Sequence, residues 1–166
     1  MKNDIEMLMQ KANRKRMYLI WEASKNDHLD ELDDEDKLLA QIMKEHEDEF
    51  LHDFEFADVL DEYEYTPEYD ETNPFLHIML HSIVENQLEN KDPIEAYQFF
   101  LAMRNKKVSR HDAIHMIANI IASFLFYLLK EHRPFDEQHY KRILKTLKSR
   151  NPQKVWAALD KGIDNF

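Results

Sequence analysis

The chain has 166 residues, no cysteine, a single glycine (Gly162) and a net charge of −11. Without cysteine there can be no disulfide, iron–sulfur cluster or thiolate zinc site. One glycine cannot build a loop whose backbone amides cradle a phosphate, and at this charge repulsion by a phosphate backbone argues against nucleic-acid binding.

The length suits one domain with a core of its own. No apolar run follows the first residues, Met1-Lys2-Asn3-Asp4-Ile5, so no signal peptide is expected and a cytoplasmic location is. Ile5, Leu8, Met9, Ala12, Met17, Ile20 and Trp21 recur at helical spacing, which predicts a helix over 4–23. Asp33 is placed to cap a second helix over 34–53, with Leu38, Leu39, Ile42, Met43, Phe50 and Leu51 inward. Residues 1–53 thus read as an N-terminal helical pair.

Residues 54–72 are acidic and tyrosine-rich (Tyr63, Tyr65, Tyr69), contain Pro67 and show no steady period. They read as a long connection, a class of segment that is often functional. The charge is concentrated around it: 27–71 holds 20 acidic residues against Lys37 and Lys44. Such a run reads as a solvated face answered by the basic C-terminal region. A docking surface for a basic protein partner is the second reading.

Asn73-Pro74, Asp92-Pro93 and Asn151-Pro152 each pair a capping residue with proline at the first helical position, where its missing N–H costs nothing. Ser109 with Asp112 resembles a capping box. These signals predict helices over 74–90, 93–106, 109–131, 136–148 and 152–160. Residues 73–131 form a histidine-bearing core and 132–166 a basic C-terminal part. The longest apolar stretch, Met116 to Leu129, is broken by Asn119 and Ser123 and falls short of the ~20 residues of a membrane span, so it reads as a buried core helix. The expectation is an all-α, single-domain, up-and-down bundle of six to seven helices, with no membrane segment.

Nine histidines are a high count. Two pairs lie four apart, His77 with His81 and His111 with His115, so each pair shares one helical face. Glu85 extends the first face. His77 and Glu85 stand about 12 Å apart along the axis, too far to hold one ion together. Both pairs fall in the first turns of their helices. Short connections favour antiparallel neighbours, so an up-down order brings both to one end of the bundle, and with them His46, Glu49 and His52. A helix N-terminus disfavours protonated imidazole, and neutral imidazole is the form that binds metal. The candidate ligands are therefore His77, His81, Glu85, His111 and His115, with His46 as a supplement. The ion would be zinc, iron, manganese or nickel. The competing reading makes these histidines structural.

No nucleophilic triad is visible, since Ser82 and Ser123 lie inside helices. His-Glu-x-x-His is absent too, and Asp112 in His111-Asp112-Ala113-Ile114-His115 sits about 100° off the histidine face. No reaction is assigned. The non-enzymatic alternative is an interaction module working through 54–72, or a homodimer formed by helix 4–23 through Trp21.

Asn73-Pro74-Phe75-Leu76-His77, His81, Glu85-Asn86-Gln87, Asp92-Pro93 and Ser109-Arg110-His111-Asp112-Ala113-Ile114-His115 together resemble the bacterial family known as domain of unknown function 1841, over about 73–122. The resemblance implies a helical, cytoplasmic protein and assigns no activity. It places the family's recurrent polar positions at Asn73, His77, His81, Glu85, Gln87, His111 and His115, and leaves the acidic segment and the basic tail uncovered. The spacings of His81 with Glu85 and of His111 with His115 are also similar to those of hemerythrin-like di-iron bundles.

Overall fold

The computed structural model describes residues 13–59, 65 and 72–163, with all their side chains except those of 129 and 130. Ile5, Leu8, Met9 and Ala12 of the first expected helix lie outside the described residues. So does most of the 54–72 connection, including Tyr63, Pro67 and Tyr69.

All regular structure among the described residues is helical. In chain order it comprises α1 (Arg14–Lys25), a 3₁₀ turn (Leu29–Glu31), α2 (Asp34–Glu45), α3 (Glu47–Glu55), α4 (Pro74–Asn90), α5 (Ile94–Asn105), α6 (Arg110–Glu131), α7 (Glu137–Lys148) and α8 (Pro152–Leu159). The chain divides into two compact units, residues 1–82 and 83–166, with the division falling within α4.

The caps explain most of the helix starts. Side chains of Asp33, Asn73, Asp136 and Asn151 accept hydrogen bonds from the backbone amides of Asp36, Leu76, His139 and Lys154 at 2.8–3.0 Å. The Ser109 hydroxyl accepts from the Asp112 amide at 3.0 Å and donates to the Asp112 carboxylate at 2.6 Å. Each satisfies a donor the first turn would leave orphaned. Asp92 departs from the pattern. Pro93 itself takes the cap position with extended backbone (ψ 148°), and the helix begins at Ile94.

A second departure is larger. The single helix expected over 34–53 is interrupted at His46, whose backbone (φ −111°, ψ 14°) ends α2 and begins α3. The side chain makes a contact of its own at this break. The His46 ring Nδ1 donates to the Ile42 carbonyl at 2.8 Å, the same carbonyl that accepts the His46 amide at 3.2 Å. A carbonyl can only accept, so Nδ1 carries the proton.

The first unit packs α1 against α2 and α3. Its core includes Met17, Ile20, Trp21, Leu39, Met43, Phe50, Phe54, Phe75 and Ile78. Of the apolar stripe considered for homodimerisation, Met17, Ile20 and Trp21 are buried inside the unit. The Trp21 indole donates to Glu55 at 2.8 Å, and Lys25 also reaches Glu55 at 2.9 Å.

In the second unit α5 packs on α7 and α6, and α6 on α7 and α8. Helix α7 is plainly amphipathic, burying Tyr140, Ile143, Leu144 and Leu147. Lys141 and Lys145 pair with Glu137 and Glu95. Arg110–Leu128 in α6 is long and apolar enough to cross a membrane by length and composition alone. Ala113, Ile114, Met116, Ile117, Ile120, Ile121 and Phe124 along it are buried.

Candidate metal centre

Three histidines converge within the first unit. His77 lies in the first turn of α4, where its amide is hydrogen-bonded to the Asn73 carbonyl at 3.0 Å. His81 follows one turn later on the same face, and the two rings stack at 4.7 Å between centroids with 26° between planes. His46, at the α2–α3 break, meets both edge-on, 4.8 Å from His77 and 4.5 Å from His81. One ring nitrogen from each lies within 4.8 Å of the others.

The surroundings are dry. His46 is 3% and His81 2% exposed, His77 is half-buried, and all three Nε2 atoms are shielded from solvent. Phe50 closes one side, with its ring 5.3 Å from that of His77 and stacked on His46 at 6.3 Å. With the Ile42 carbonyl holding a proton on Nδ1 of His46, the neutral form of the ring carries its lone pair on Nε2. A carbonyl that orients and fixes the tautomer of an imidazole is the usual outer partner of a metal-bound histidine. Zinc–nitrogen bonds of 2.0–2.1 Å in a tetrahedron put donor nitrogens about 3.4 Å apart. Small ring rotations would close the observed spacing to that value, so the residues fit a transition ion.

His111 and His115 lie in the first turns of α6 with rings 4.1 Å apart, His111 exposed and His115 half-buried with a shielded Nε2. Glu85 is gripped by Arg110, whose two terminal nitrogens donate to its two carboxylate oxygens at 2.6 Å each. It is not among the grouped donors, which are all imidazoles. Glu49 and His52 are exposed, and the His52 ring lies against Phe56.

A model described as domain of unknown function (DUF1841) matches residues 10–146. The chain belongs to this family. The match takes in the acidic segment and most of α7, both of which the resemblance over 73–122 left out. No curated protein and no solved structure matches the chain.

Within the DUF1841 chain the recurrent polar positions now separate by job. Asn73 caps α4 and Glu85 binds Arg110. Gln87 accepts a 2.7 Å hydrogen bond from the Tyr140 hydroxyl, a phenol whose burial pushes its pKa well above the ordinary value. Those three have structural duties. His77 and His81 are instead stacked ring on ring beside His46. The sequence ranked His46 as a supplement; the structure makes it an equal of the pair. Its signal was its place at the end of α2, but the Ile42 contact has no sequence signature.

Proposed function

We propose that this DUF1841 protein binds a transition-metal ion through His46, His77 and His81. The observation that carries the reading is the convergence of three imidazoles with a ring nitrogen of each within 4.8 Å of the others, in a dry setting. Imidazole donors suit zinc, nickel or iron better than manganese, which favours carboxylate and water. Glu85 is left out of the ligand set because Arg110 already neutralises it.

Elemental analysis of protein purified without an affinity tag or chelator tests this. About one equivalent of one transition metal is expected. Replacing His46 and His81 together by alanine should abolish uptake while helicity by circular dichroism is kept. Undiminished uptake by the double variant, or no uptake by the wild type after incubation with zinc, iron and nickel, would return the histidines to a structural role.

The alternative, an interaction module, draws support from Leu51, Phe56 and Val59, which stand 45%, 48% and 75% exposed beside the acidic connection. A partner held by this region should be released as salt is raised.

A further inference from the structure

We infer that the ion is an internal staple for the first unit, one of zinc class, so that the stability of this unit is set by metal. The inference rests on the metal-binding reading above and says what the ion is for.

The ligands come from separate parts of the chain. His46 stands at a helix break and His77 opens α4, so an ion holding both closes the loop of residues between them. Tying chain-distant residues restricts the unfolded ensemble much as a disulfide does, and this chain has no cysteine to do so. Metal binding to a site that unfolding disperses is itself folding free energy.

Burial points the same way. Catalytic ions keep an open position for water and substrate, whereas structural ions are enclosed. With His46 and His81 almost wholly buried and Phe50 against the rings, the cluster has the enclosed form.

Charge adds a reason for a cation here. Residues 1–82 carry 23 acidic and 8 basic side chains, and a unit so unbalanced repels itself. A buried divalent ion lowers that repulsion from inside. The donors are imidazoles, which favour zinc-class ions over magnesium or calcium.

The test compares full-length protein stripped with a chelator against the same protein titrated with zinc, following stoichiometry and thermal unfolding together. With free zinc about a thousandfold above Kd, Tm should rise by about 10 °C, and magnesium should give no rise. Hydrogen exchange should show slower amides in α1, α2 and α3 on loading, by a larger factor than in α7. His77→Gln keeps a polar group at a half-buried position. It should stay helical, bind zinc at least about tenfold more weakly and lose most of the rise. One-to-one zinc binding with no rise in Tm and no slowing in α1–α3 would overturn the staple while leaving the metal site standing. Failure to bind zinc would overturn both.

Discussion

The two units solve the same packing problem with opposite means. In the second unit, polar side chains of the helical core answer one another directly: Glu85 with Arg110, Gln87 with Tyr140, Glu95 with Lys145, and capping residues at the starts of α6, α7 and α8. In the first unit the acidic side chains far outnumber the cations available to them. Arg16 serves Asp36 and Glu35, and Lys25 serves Glu22 and Glu55. Three imidazoles cluster within it, His46 and His81 buried and His77 half-buried. The contrast teaches that the second unit balances its charges pair by pair, whereas the first carries a heavy excess of acid around an apolar core.

The hardest blow to that picture is removal of Trp21. It is fully buried against Phe54, 5.3 Å between ring centroids, and its indole holds Glu55. Trp21→Ala should cost about 3–5 kcal/mol in denaturant unfolding and weaken metal uptake, because the α1–α2–α3 packing carries His46. Unchanged stability would mean that the first unit does not depend on this core.

Tyr140→Phe probes the second unit more gently. It removes the hydroxyl and leaves the Gln87 carbonyl oxygen without its donor, a loss of about 1–2 kcal/mol. Metal stoichiometry should not move; a fall in it would break the separation between the two units' roles.

Arg110→Ala sharpens the assignment of Glu85. The arginine is half-exposed, so the cost to stability should be at most about 1 kcal/mol. Zinc content should stay the same. A larger loss of stability would show that the Glu85–Arg110 pair carries more of the second unit's stability than a surface ion pair does.

The smallest effect is one of pH. Hydrogen bonds from Lys25 and then from Trp21 hold the Glu55 carboxyl below its ordinary range. A depressed folded-state value means that this contribution is present above the unfolded value and lost as pH falls through the folded one. Wild-type stability should therefore drop slightly more than that of Glu55→Gln between about pH 5 and 3. Parallel curves for the two proteins would deny Glu55 this role.

Much of this was legible in the residues. Helix starts are local events: Asn73, Ser109 and Asn151 cap where their types and the following residues say they should, because a cap needs one side chain and the next turn. The His77–His81 pair was equally legible, since spacing alone puts both on one face. Glu85 lies on the same face, yet its partner Arg110 sits on another helix, one residue from His111. No spacing rule distinguishes a carboxylate waiting for a metal from one about to meet a guanidinium.

What the sequence determined by itself was therefore the all-α class, the places where most helices begin and the stock of imidazoles available for a site. What the tertiary structure decided was which imidazoles meet. It broke the expected 34–53 helix at His46, pinned that ring's proton to the Ile42 carbonyl and brought the ring edge-on to His77 and His81. The physical reason is range. Capping and periodicity act within a turn or two of chain, whereas the meeting of His46 with α4 depends on packing between segments about thirty residues apart.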